Sequence, residues 1–321
     1  MPDFIGIVMW PIKWAIELVL VVWHWVFTTL GMSPTSGWLW VLCILGLVVV
    51  VRSAMIPLMV RQIRSQRKMM ELAPELKRIQ DKYRGKKDQF SRQAMAQEQM
   101  DLYKNGGANP VSGCLPVLVQ MPIFFGLFTV MNEAQHGRAG VGLLDKGLAE
   151  QFSSARLFGA RMSISLTQAF QANPIEWPVL ILAVVLVILM ISSQLFTSVQ
   201  IMGQNISEEA KQAPTYRQQR MLMYGMPFLM LFSGVAFPLG VLMYWFINNL
   251  WTMGQQFLVI RSMPTPGSKA YYARQERLAS RGKLTETEQH ELEKYKGVPQ
   301  GQRVQPVGKA RAKKQGKKRR S

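Results

Sequence analysis

One arginine in an otherwise apolar run is the residue with most to say about chemistry. Arg52 interrupts the stretch from Trp38 to Val60, which has the length of a bilayer-spanning helix. Arg61, the first charge past the span, lies nine residues further on. At about 1.5 Å per residue, Arg52 lies roughly 13 Å inside the boundary. An ionisable group at that depth is costly and faces a protein interior or a wet cavity, or else snorkels to the interface. Other apolar runs carry polar groups that could meet it. Gln120, Gln194 and the series Tyr244, Asn248, Thr252 and Gln255 are such residues. The last four recur at i, i+4, i+8 and i+11, one helical face. Amides and hydroxyls of this kind can be ordinary interhelical contacts, worth about 0.6 kcal/mol each. The core runs hold no acid, so Arg52 needs water, an internal acceptor or an incoming acidic partner.

The chain shows no paired carboxylates, no Ser/His/Asp pattern and no phosphate loop, so an enzyme is not expected. The cysteines Cys43 and Cys114 and the histidines His24, His136 and His290 have no metal-ligand spacing. No metal or cofactor is therefore expected. The pI is about 10.2 and the mean hydropathy is near zero, which hides two populations: long apolar runs and strongly basic polar segments. The pattern indicates an all-α, polytopic membrane bundle rather than one soluble core.

Five core spans are expected, at about 38–60, 114–132, 177–199, 221–237 and 239–260, within a core unit of 38–260. Residues 1–37 form an N-terminal unit. In it Lys13, Glu17, His24 and Thr28 make one polar stripe on a helix begun near Pro11. That helix either lies in the membrane interface or crosses with its stripe turned toward protein. It does not read as a cleavable signal, because Asp3 and no Lys or Arg precede the apolar run. Residues 61–113 form a projecting helical hairpin. Its seam is Leu72, Leu76, Ile79 and Tyr83, its turn Gly85-Lys86-Lys87-Asp88, and Ser91 is the expected N-cap of the return helix. Residues 133–176 form a polar loop of no evident role. Residues 261–321 form a basic tail, mostly disordered.

Lys and Arg outnumber acids twelve to six in 61–113, three to two in 200–220 and seventeen to five in the tail; 133–176 has four of each. Basic segments near spans select the cytoplasmic side, which puts the hairpin and tail inside the cell and 133–176 outside. The tail's charge suits anionic lipid or RNA phosphate equally.

Several motifs together resemble the YidC-type membrane protein insertases of bacteria, whose relatives act in mitochondria and chloroplasts. These are Arg52 with Pro57, the basic hairpin, Leu102-Tyr103-Lys104 before Asn109-Pro110, and Gly113-Cys114-Leu115-Pro116 with Gln120-Met121-Pro122-Ile123-Phe124. Met226-Pro227-Phe228, and Tyr244 followed by Asn249-Leu250 and Gln255-Gln256, complete the set. The resemblance covers about residues 10–262. It implies five core helices around a hydrophilic groove open to cytoplasm and lipid and closed outside, in the plasma membrane, working without ATP. Arg52 would be the groove's positive charge, with Gln120, Gln194, Tyr244, Trp245 and Asn248 also placed at groove or slide positions. Phe124, Phe125, Phe128, Phe228 and Phe232, on spans two and four, would form a lipid-facing slide. Nascent membrane proteins would be the substrates and the bilayer their destination. The ribosome, through rRNA contact with the tail, and the Sec translocon are further candidate partners. The chain lacks the large periplasmic domain of Gram-negative members and the lipoprotein cysteine of many Gram-positive ones. A small-solute transporter and a membrane-anchored ribosome tether are the rival readings. The first predicts internal repeats that are not found; the second predicts that removing 262–321 abolishes function.

Overall fold

The computed structural model describes residues 4–86, 88–109, 115–211 and 214–297. Lys87, Pro110, Gly113, Cys114 and the tail beyond 297 lie outside the described residues.

The long helices are α1 (Phe4–Thr29), α2 (Gly37–Glu71), α5 (Leu115–Gln135), α8 (Trp177–Gln204), α10 (Pro214–Ala236) and α11 (Leu239–Ser262). Between them run α3 (Ala73–Lys82), α4 (Gln89–Asn105), α6 (Lys146–Ser154), β1 (Arg156–Leu157), β2 (Ala160–Arg161), α7 (Leu166–Gln171) and α9 (Glu208–Lys211); α12 (Lys269–Ala279) and α13 (Glu286–Lys296) follow. The molecule is an all-α membrane protein with one two-stranded hairpin. Met9–Thr29, Gly37–Ser65 and Trp177–Gln204 are long and apolar enough to cross a bilayer. Helices α5 and α11 lie over the expected spans 114–132 and 239–260, and α10 begins seven residues before the expected 221–237.

Helix α2 contains Val48-Val49-Val50-Val51, a β-branched run that would weaken a helix in water. In lipid the backbone has no other partner for its amides, so the helix persists. It continues as one rod to Glu71, well past the expected end at residue 60. Pro57 lies inside it. Helix α11 packs on α8, α2 and α5, and α10 packs on α8 and α7.

The largest correction concerns 133–176, which folds into a cap across one end of the bundle. Asp145 caps α6 by accepting the Leu148 amide, and Ser165 with Gln168 forms a capping box on α7. Between them β1 and β2 pair through a two-residue turn, Phe158-Gly159, both with positive φ. Type I′ turns require that sign at both positions. Phe152 is buried edge-on against Trp40 of α2, at 5.1 Å. The amides of Leu239 and Gly240, opening α11, donate to Ile164 and Met162 carbonyls at 3.1 and 2.9 Å. Thr167 donates to the Val235 carbonyl at the end of α10. Arg161 and Glu176 form an ion pair within the cap.

The polar stripe of α1 is turned toward protein. Lys13 pairs with Glu133 at 3.0 Å. Glu17, fully buried, accepts the amides of Val141, Gly142 and Leu144. A Cβ on Gly140 would lie 2.2 Å from the Glu17 carboxylate, so only glycine allows the loop to approach. His24 stacks at a tilt on Trp40, at 5.0 Å.

At the other end the hairpin forms as expected from its seam, but the cap of α4 is Asp88 rather than Ser91. The Asp88 carboxylate accepts the Ser91 amide at 2.7 Å. Lys82 and Glu98 join the arms at 2.9 Å. The tail also departs from expectation: 269–296 is two capped helices, with Tyr272 and Tyr295 stacked at 3.6 Å between them. The Thr265 amide donates to Asn205, tying the tail to the end of α8.

Two outcomes follow. Glu17→Ala orphans three amides and lowers stability by about 2 kcal/mol or more, read as a lower midpoint in thermal denaturation of the solubilised protein. In the hairpin, the bond from Lys82 holds the Glu98 carboxyl below its ordinary value and raises the Lys82 ammonium above its own. The Glu98 contribution is present above the usual carboxylate range and lost as pH falls through its depressed value; that of Lys82 is lost as pH rises through its raised one. Spin-label distances between α3 and α4 should therefore broaden at both pH extremes and stay sharp around neutrality.

Candidate functional site

Helix α2 presents Arg52 sideways to α11. The guanidinium Nε and Nη2 both donate to Asn248 Oδ1, at 2.9 and 2.7 Å, and Nη2 also donates to Thr252 Oγ1 at 3.2 Å. Asn248 and Thr252 are one turn apart on α11, so two successive turns bracket the cation. Thr252 also donates to the Asn248 carbonyl at 2.9 Å. The head is half-buried and bound at its own level in the bundle, not extended along α2. Among the described residues Arg52 forms no ion pair. A full positive charge is held by one amide oxygen and one hydroxyl, both neutral. That geometry leaves it able to attract an anion strongly, because no carboxylate already compensates it.

One turn nearer the cap, Gln120 of α5 donates to the buried Tyr244 hydroxyl at 2.9 Å. Tyr244, Asn248 and Thr252 thus form one polar seam joining three helices. Trp245, the next residue, stacks flat on Phe124 at 5.1 Å and meets Phe237 edge-on at 5.3 Å. Gln194 is half-buried on α8 and makes no hydrogen bond among the described residues, so the structure does not bring it to Arg52. Asn249 faces away from Arg52 on the same helix; it is buried with its Nδ2 unpartnered among the described residues.

The five phenylalanines divide. Phe124 and Phe128 turn inward, Phe128 meeting Phe237 edge-on at 5.1 Å. Phe125 of α5 and Phe228 of α10 are 49% and 56% exposed. Phe232 has a side chain outside the described residues.

The feature least visible from residue types is a cavity of about 500 Å³ between α2 and α11. Ile56, Val60 and Ile63 line it from α2, and Gln255 and Val259 from α11. Both sets continue the faces that carry Arg52 and Thr252 toward the hairpin. The cavity therefore lies on the hairpin side of the cation; it begins about one helical turn past Arg52, at Ile56 and Gln255, and Arg52 does not line it. Its signal in sequence was the i, i+4 spacing 52, 56, 60 set against 248, 252, 255, but the two helices' register on one another is a tertiary fact.

The hydrogen-bond assignment has a direct check. Asn248→Leu leaves the guanidinium without its main acceptor and should cost about 1–3 kcal/mol. Adding Arg52→Leu should recover much of that loss. A double-mutant cycle by thermal denaturation should give a coupling energy of about 1 kcal/mol or more; additivity would remove the pairing.

Comparison with known proteins places the chain. The family model described as 60Kd inner membrane protein matches residues 31–266. A protein of Tropheryma whipplei (strain Twist) named membrane protein insertase YidC is 42% identical over 316 residues, 97% of each chain. Proteins of the same name from Bifidobacterium longum and Streptomyces avermitilis are 35% and 40% identical, over 97% and 84% of this chain and 96% and 61% of their own. The chain belongs to the 60Kd inner membrane protein family, the family of the YidC insertases.

Proposed function

We propose that this chain inserts nascent membrane proteins into the lipid bilayer, as the names of its relatives say of them. The observation that carries the mechanism is Arg52 held by neutral acceptors inside the bundle, one helical turn beyond a cavity between α2 and α11. Five core helices, α2, α5, α8, α10 and α11, cross the membrane, and α1 packs beside them against α2 and α5 with its stripe turned toward protein. The hairpin and the tail from 261, which carries α12 and α13, face the cytoplasm, by the excess of Lys and Arg over 61–113 and 261–321 as wholes. A nascent apolar segment docks on the hairpin, where Phe90 and Met100 are exposed beside the basic residues. Its short outward-going tail, often acidic, moves along the α2–α11 cavity and replaces Asn248 and Thr252 on the guanidinium. A carboxylate is a stronger acceptor than an amide, so the exchange is favourable. The cavity wall is mostly apolar, and the polar groups that lower the cost of placing charge part way across are Arg52, Asn248, Thr252 and Tyr244 beyond it.

The cap closes the other end. Its buried Phe152, its bonds to α10 and α11 and its contact with α1 support a seal on the far side of Tyr244 that holds the tail rather than letting it leak through. The apolar segment leaves sideways into lipid along α5 and α10, where Phe125 and Phe228 face outward. Short apolar spans there thin the bilayer and shorten the crossing. No nucleotide hydrolysis is needed, because burial of the apolar segment in lipid drives the step. The tail's charge suits rRNA phosphate, which makes the ribosome a partner, and delivery from the Sec translocon is a second route.

The test uses purified protein in proteoliposomes and a substrate with an acidic outward-going tail. Arg52→Glu should reduce insertion at least several-fold, Arg52→Lys should retain part of it, and a substrate with a neutral tail should be affected less. Full insertion by Arg52→Glu would remove the attraction step. Solute flux through the same vesicles would favour the transporter reading.

A further inference from the structure

Helix α11 separates two cavities, with Leu250 and Gly254 lining both. The one facing away from α2 measures about 580 Å³ and lies between α8, α11 and α12. This is within the range of about 300–1,000 Å³ that small-molecule sites occupy. Its two ends differ in chemistry. Phe196, Leu250 and Phe257 make an apolar wall, and the first and last are exposed on the bundle's outer surface. Gln204, Arg261 and Arg277 line the end nearest the hairpin. Arg277 donates through Nη2 to the Arg261 carbonyl at 3.0 Å, which fixes α12 against the end of α11 and sets the two guanidinium groups at one mouth. Neither arginine forms an ion pair among the described residues.

Length decides what fits. Leu250 and Arg261 are eleven residues apart on one helix, about 16 Å. That is one leaflet of a hydrocarbon core about 30 Å thick. Arg261 is also the first charge after the apolar run of α11. The cavity thus spans a single leaflet, with cations at headgroup depth and hydrocarbon surface below. A water-filled site would not keep exposed phenylalanines there, and an acyl chain would cover them at no cost in hydrogen bonds.

The geometry points to a binding site for one anionic glycerophospholipid, an acyl chain along Phe196, Leu250 and Phe257 and the phosphate between Arg261 and Arg277. Paired guanidinium groups hold a phosphate through several charge-assisted bonds. A zwitterionic lipid would bring its own cation against them, so the site selects a headgroup of net negative charge. The lipid would bridge α8, α11 and α12, holding the tail helices against the membrane. The inference stands on the membrane placement of α8 and α11 and is independent of the insertion step at Arg52.

Full-length protein in bilayers of phosphatidylcholine and phosphatidylglycerol in equal amounts provides the test. After extraction in mild detergent, retained lipid is quantified by mass spectrometry. Wild-type protein should retain phosphatidylglycerol several-fold above its bulk share. Arg261→Gln with Arg277→Gln should bring the ratio back to bulk. Ala273→Trp, which fills the cavity and leaves both arginines, should do the same. Arg281→Gln with Lys283→Gln, which removes equal charge from the α12–α13 connection, should keep the enrichment. Thermal midpoints of all variants confirm folding; if Ala273→Trp fails to fold, the Arg261/Arg277 pair decides. Bulk ratio in the wild type, enrichment surviving in Arg261→Gln/Arg277→Gln, or equal loss in Arg281→Gln/Lys283→Gln would each overturn the site.

Discussion

A cation inside a hydrocarbon-embedded bundle must be satisfied or removed, and here it is satisfied only in part. Asn248 and Thr252 give Arg52 three hydrogen bonds and no countercharge. Two neutral acceptors are enough to keep the side chain in place, and a carboxylate there would have extinguished its attraction for anything else. The surrounding architecture follows from that choice. α2 and α11 must be in register so that residue 52 meets residues 248 and 252. Tyr244 and Gln120 carry the polar seam one turn further, and the aromatic group of Phe124, Phe237 and Trp245 closes it on the apolar side.

The two ends of the bundle are built differently. At the cap, Phe152, Trp40, Glu17 and the amides of Leu239 and Gly240 lock three long helices to one folded segment. At the hairpin end, cavities open on both sides of α11, and α3 and α4 contact the bundle mainly through the end of α2. The packing is thus dense at the cap and loose beside α11 at the hairpin end.

Much of this was legible in residue types. Arg52 stood out because charges in apolar runs are rare, and the face Tyr244, Asn248, Thr252 followed from helical spacing alone. The hairpin followed from its leucine seam. What sequence reasoning missed were elements whose stability is tertiary. Residues 133–176 have short helices and two-residue strands, too brief to show periodicity, and are held by Trp40, Gly240 and Glu17 from elsewhere in the chain. The capping pattern Ser165-x-x-Gln168 lies within a stretch whose composition is otherwise that of a polar loop. Residues 269–296 were assigned to disorder on charge, although Thr285-x-x-Glu288 is a capping box and the stacked Tyr272 and Tyr295 supply the contact between helices. Gln194 shares spacing and chemistry with the polar seam, yet α8 turns it elsewhere; only helix packing could have told the two apart.

Helix α2 is a single rod from the cap through Arg52 to the root of the hairpin, with Pro57 its one internal proline. From residue 52 to residue 71 is about 28 Å of continuous helix. Proline removes one rung of the hydrogen-bond ladder and is where a long helix bends. A load taken up at the far tip therefore pivots five residues from the guanidinium, and the cap-anchored segment acts as the fixed arm. Displacement of the hairpin root and the position of Arg52 against α11 are in this way coupled by one mechanical lever.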